Sequence, residues 1–78
     1  MDWKPHIEVN PQVLAGKPVV KGTRLSVEFL LGLFAQGWGE AQVLENYPQL
    51  NREDLRAVFA FSAAYLHDEQ FIGQVLAA

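Results

Sequence analysis

The chain has 78 residues, half of them apolar, a net charge of −3 and no cysteine, which confines it to a single domain. That composition excludes a disulfide scaffold. It also excludes a membrane span, because the longest apolar run, VEFLLGLFA, holds nine residues and one of them is Glu28, where a span needs about 20. A domain of this size buries only about 60–65% of its unfolded surface, and a single core then contributes on the order of a few kcal/mol. So much apolar surface on so short a chain predicts a homodimer or an obligate partner. The missing cysteines predict a reducing compartment. The start MDWKPHIEVN has no basic region leading into a long apolar run, so a soluble cytoplasmic protein is expected.

In chain order, residues 1–24 read as strand and turn. HIEV alternates, which places Ile7 and Val9 on one face. Asn10-Pro11 and Gly16-Lys17-Pro18 are turn signals, and Val19 and Val20 supply a second β-branched strand. A two-stranded hairpin alone is barely stable in water, so it must pack on helices or pair with another chain.

A helix then starts at Ser26, a good N-cap, with Glu28 in the first turn where the helix dipole favours an anion. Val27, Leu30, Leu31 and Phe34 recur at helical spacing, Phe29 and Leu33 add a second stripe, and Gly37 ends the helix. A shorter helix runs over residues 40–46 behind the weak cap Gly39, with Ala41, Leu44 and Tyr47 expected inward, and Pro48 bars its continuation. The third start is the clearest. Asn51 is the N-cap, Asp54 completes a capping box, and Leu50 and Leu55 occupy the hydrophobic-staple positions. The expected inward stripe is Leu55, Val58, Phe59, Ser62 and Leu66, with Phe61 and Tyr65 beside it. After Asp68, the apolar residues Phe71, Ile72, Val75 and Leu76 outline a short helical tail. The expected fold is mainly α: a β-hairpin arm over 1–24, a three-helix, helix-turn-helix-like unit over 26–67, and a tail over 68–78.

Charge divides along the chain. In residues 1–24, Lys4, Lys17, Lys21 and Arg24 outweigh Asp2 and Glu8, a net of +2; residues 25–78 carry a net of −5. Half of all the cations lie in GKPVVKGTR, residues 16–24. That segment is no phosphate-binding P-loop, since its lysine precedes the glycine where the P-loop order is Gly-Lys-Ser/Thr, and Pro18 removes a backbone donor. His6 and His67 stand apart with no cysteine, so no metal set forms. The carboxylates cluster at helix starts, where capping explains them, and no Ser–His–Asp arrangement emerges; no enzyme and no cofactor is expected. Gly16 and Gly22 suit turns with positive φ, Thr23 can bond the turn backbone, and Arg24 can pair with Glu28. The elbow therefore has a structural role, and beside it Lys17, Lys21, Thr23 and Arg24 form a candidate contact for an anionic partner. On the third helix Arg52 and Arg56 are candidates for DNA or partner binding, although Glu53 and Asp54 offset their charge.

The segments GKPVVKGTRLSVEFLLGLFAQG and YPQLNREDLRAVFAFSAAY resemble a family of small prokaryotic proteins catalogued as domain of unknown function 433. Its pattern is a Gly-Lys-Pro-x-(Ile/Val)-x-Gly-Thr-Arg elbow, a helix closed by Gly, and a Tyr-Pro-x-Leu joint. The likeness covers residues 7–65, and the chain departs from the pattern at Gly39, where the family has Ser or Thr. The resemblance implies a homeodomain-like helix-turn-helix fold and, for some members, an antitoxin of the VapB type. Such a protein sequesters a PIN-like ribonuclease toxin and autoregulates its own transcription. On this reading Arg24 or Lys21 enters the carboxylate cluster of the nuclease, or the tail residues Phe71, Ile72, Val75 and Leu76 lie in a groove of the partner. The alternatives are a DNA-binding dimer without a toxin, and a purely structural or adaptor dimer.

Overall fold

The computed structural model describes residues 1–67. The expected tail, with Phe71, Ile72, Val75 and Leu76, lies outside the described residues. Two short strands, β1 (Ile7–Glu8) and β2 (Val19–Val20), precede three helices, α1 (Val27–Ala35), α2 (Glu40–Asn46) and α3 (Arg52–Leu66). The chain is thus mainly α with an N-terminal hairpin, as its sequence predicts.

The strands pair antiparallel, Ile7 opposite Val20 and Glu8 opposite Val19. Beyond β2 the chain doubles back along its other side. Val20 N donates to Leu25 O at 3.0 Å, and Val27 N to Pro18 O at 2.9 Å. β2 is therefore flanked on both sides, and both of its valines are buried. Ile7 is buried but Val9 is exposed. The expected alternation fails because β1 is two residues long and Val9 already lies beyond it.

Helix ends follow local chemistry. Ser26 Oγ accepts from Phe29 N at 2.9 Å and caps α1. At the other end Gly37 N donates to Phe34 O and Trp38 N to Leu33 O, a Schellman pair of bonds, with Gly37 at φ +96°. For α3, Asn51 Oδ1 accepts from Asp54 N at 2.8 Å and Asp54 Oδ2 from Asn51 N at 3.0 Å, the reciprocal capping box. Leu50 and Leu55 are both buried at the staple positions. Gly39 caps α2 without a side-chain bond.

The core joins Ile7 and Val20 of the hairpin to Val27, Leu30 and Leu33 of α1, Val43 of α2, and Leu55, Ala57 and Val58 of α3. Three expected placements differ. On α1, Leu33 is buried as its stripe implies, but Phe29 of the same stripe turns outward and stands edge-on to Tyr47 at 5.8 Å. On α2, Val43 is the buried residue, whereas Ala41 is exposed and Leu44 and Tyr47 are half-buried. On α3, Leu55 and Val58 are buried, Phe61 packs against the core and Ser62 is half-buried, whereas Phe59, Tyr65 and Leu66 are exposed. Trp3 also packs against the core, its ring meeting Phe61 edge-on at 4.8 Å. No helix among the described residues is long and apolar enough to cross a membrane.

Candidate functional site

The hairpin projects a loop, residues 21–24, between β2 and α1. Thr23 N donates to Val20 O at 3.0 Å, and Gly22, with φ +80°, takes the left-handed third position that a type II turn demands. Space around the Gly22 Cα is open, so the glycine is required by its backbone angle and not by crowding. The Thr23 hydroxyl donates to Val20 O at 2.8 Å and accepts from Leu25 N at 3.0 Å. One side chain thereby ties both arms of the loop, as its sequence predicts. Thr23→Val keeps the shape and removes both bonds. It is expected to cost about 1–3 kcal/mol, the range for leaving a buried donor or acceptor unpaired, measurable as a lower urea midpoint at unchanged slope. A midpoint equal to that of the parent would mean that the loop is held by backbone bonds alone.

The three elbow cations are not one cluster. Lys17 lies before β2, where its Nζ meets Glu28 Oε2 at 3.0 Å. Glu28 is thus paired with Lys17 and not with Arg24, because the chain doubles back and sets the α1 start beside residue 18. Both partners are exposed, so the pair adds little stability. Lys21 and Arg24 are at the other end of β2, on the loop itself. Both are exposed, and neither has an ion-pair partner among the described residues.

This loop shares an end of the molecule with the start of α3. Lys21 N donates to His6 O at 2.7 Å, and His6 Nδ1 meets Asp54 Oδ1 at 3.1 Å across a sequence separation of 48. Asp54 is thus both the capping-box residue and the anchor of the N-terminal arm. Sequence reasoning placed Asp54 in the box but missed His6, since nothing local links the two.

Arg52 and Arg56 are placed on the exposed side of α3. Arg52 Nε meets Glu40 Oε1 at 2.7 Å, and Arg56 meets Glu53 at 3.6 Å. Each arginine of α3 therefore faces a carboxylate, in contrast to Lys21 and Arg24. Among the described residues, no group of three or more His, Cys, Asp or Glu side chains converges as a metal site would require.

Before β2 the backbone makes an unusual turn. Leu14, Ala15 and Gly16 all have positive φ, at 47°, 55° and 85°. Gly16 tolerates this freely, but each of the other two carries roughly 1–2 kcal/mol of strain. The turn fixes where Lys17 emerges, and the alanine and leucine gave no sign of it.

The sequence profile described as "Protein of unknown function (DUF433)" matches residues 7–62, which contain the hairpin, the loop and most of α3. The chain is 34% identical over 55 residues to "Uncharacterized protein y4eO" of Sinorhizobium fredii (strain NBRC 101917 / NGR234); the match covers 70% of this chain and 25% of the relative. The chain thus spans about a quarter of that curated protein's length. A crystal structure of a DUF433 member from Anabaena variabilis ATCC 29413 superposes with a TM-score of 0.72 at 30% identity, covering 94% of this chain and 69% of that one. A match over residues 7–62, most of the chain, makes this protein a member of the DUF433 family.

Proposed function

We propose that this protein is a non-catalytic binding module of the antitoxin kind, which docks its 21–24 loop on a metal-dependent, PIN-like ribonuclease. The observation that carries this reading is the pair Lys21 and Arg24: both exposed, neither ion-paired among the described residues, both on a loop held by Thr23 and Gly22. A nuclease of that class gathers carboxylates around its metal. A guanidinium suits such a cluster because its planar fork bonds a carboxylate through two parallel N–H groups. A stiff loop loses little entropy when it inserts.

The pairing of Arg52 with Glu40 and of Arg56 with Glu53 leaves the α3 surface little net charge to offer phosphates. For that reason the protein-binding reading is preferred over DNA docking through α3.

The test is co-expression with the product of the adjacent gene, followed by gel filtration at micromolar concentration. A stable complex is expected, together with loss of the partner's ribonuclease activity. The double variant Lys21→Glu/Arg24→Glu should raise the Kd by about thirtyfold or more, since disrupting a buried charge pair costs about 2–5 kcal/mol. Failure of the parent chain to form a complex, or full binding by the reversed variant, would refute the reading.

A further inference from the structure

A cleft of about 550 Å³ opens between α2 and the start of α3, within the range of small-ligand sites, about 300–1,000 Å³. Glu40, Ala41 and Leu44 line it from α2, and Arg52 and Arg56 from α3. The three α2 residues fall at i, i+1 and i+4, one face of that helix. Ala41 is exposed and Leu44 only half-buried, so the cleft combines apolar surface with charge.

Local preference opposes both arginines. Arg52 is the first residue of α3, where the helix dipole disfavours a cation. Arg56 follows at i+4, and like charges at that spacing repel. Glu53 and Asp54 already supply the anions that the helix start favours. Departures from local preference concentrate at functional sites, where binding outweighs stability.

The cleft already holds one carboxylate. Glu40 Oε1 meets Arg52 Nε at 2.7 Å. A guanidinium carries five N–H donors, and one carboxylate takes a parallel pair of them, so Arg52 keeps donors for a second anion. Arg56 Nη1 stands 3.6 Å from Glu53 Oε1, beyond hydrogen-bond reach. Its fork therefore has an ionic neighbour but no hydrogen-bonded acceptor among the described residues. Arg52 and Arg56 against Glu40 and Glu53 leave no net charge, so a run of phosphates gains little here. A ligand gains by placing one carboxylate on the guanidinium groups and one apolar side chain on Ala41 and Leu44.

We propose that the cleft between α2 and α3 binds an acidic–apolar segment of a partner protein, a carboxylate side chain followed by an apolar one. The ligand carboxylate is shared by Arg52 and Arg56, its apolar neighbour covers Leu44, and Glu40 is the internal competitor for Arg52. Glu40 and Glu53 also give the cleft its selectivity, because they repel an anion that brings no apolar contact to offset the repulsion. The cleft and the 21–24 loop have no residue in common, and the test below needs no ribonuclease, so either reading can fail alone.

Titration of the full chain with the peptide acetyl-Glu-Leu-amide, followed by NMR, tests it. The Arg52 and Arg56 Nε–H signals and the Leu44 methyls are expected to shift together and to saturate at millimolar peptide. Acetyl-Gln-Leu-amide, which lacks the charge, should bind about tenfold more weakly, and acetyl-Glu-Gly-amide, which lacks the apolar side chain, about threefold more weakly. Arg56→Gln should weaken binding about tenfold. Glu40→Gln should tighten it roughly two- to fivefold, the worth of an exposed ion pair. Both substituted side chains are exposed, so the fold is retained in each variant. Inorganic phosphate binding as well as the peptide would make the cleft a general anion site and overturn the proposal. Equal binding of the glutamine peptide, unchanged affinity in Glu40→Gln, or no shift at Arg52, Arg56 and Leu44 would overturn it as well.

Discussion

Leu30→Ala is expected to abolish the native fold at 37 °C, or to bring it to the edge of unfolding. Leu30 is fully buried in the centre of α1, between Val27 and Leu33 in sequence, and shares one core with Leu55 and Val58 of α3. Removing its three outer carbons costs the transfer energy and leaves a cavity, together about 2–5 kcal/mol. A single core in so short a chain rarely contributes more than about 3–5 kcal/mol in all. The loss is thus comparable to the whole. At about 4–8 °C per kcal/mol for a domain of this size, a thermal midpoint lowered by some 15–25 °C should appear in the helical circular dichroism signal. Leu31→Ala, one residue along but half-buried, is the control and should cost about 1 kcal/mol, in proportion to the smaller area withdrawn from water. Equal costs for the two would mean that α1 is rotated from the placement described, and a Leu30→Ala protein as stable as its parent would place Leu30 outside the core.

The difference between Leu30 and Leu31 marks how far a sequence alone reaches here. Helix ends were legible, because Ser26, Gly37, Asn51 and Asp54 act within three residues of themselves. The Thr23 bonds were legible for the same reason. The facing of α2 was not: seven residues make two turns, and Ala41, Leu44 and Tyr47 fit an apolar face as well as Val43 does. What selects Val43 is its membership of the core shared with Leu30 and Leu55, a tertiary fact. The elbow shows the same division. Its cations and glycines were visible as a motif, but their separation into Lys17 at one end of β2 and Lys21 with Arg24 at the other depends on the doubled-back chain. The left-handed turn at Leu14 and Ala15 had no signal, since neither residue favours positive φ. Tertiary constraints hold that turn against its strain.

Asp54→Ala should show the next largest loss, about 2–3 kcal/mol, and should loosen the arm and the helix together. The carboxylate makes two bonds with different purposes. Oδ2 accepts from Asn51 N and closes the capping box; Oδ1 faces His6 Nδ1 and fastens β1 to the start of α3. A carboxylate only accepts, so His6 donates, and a bond to a charged partner in a half-buried place contributes more than a neutral one, about 1.5–3 kcal/mol before solvent screening. The cap adds about 1 kcal/mol. Asn51→Ala removes the cap bond and leaves the arm attached, so it should cost about 1 kcal/mol and leave amide exchange at Ile7 and Lys21 slow. Asp54→Ala should quicken exchange at both, because Lys21 N bonds to the carbonyl of His6. Double-mutant cycles separate the two roles. His6→Ala and Asp54→Ala should couple, while His6→Ala and Asn51→Ala should add independently. Additivity between His6 and Asp54 would show that the arm is held by Ile7 and Trp3 packing alone. The loop that carries Lys21 and Arg24 would then owe its position to the core and not to this latch.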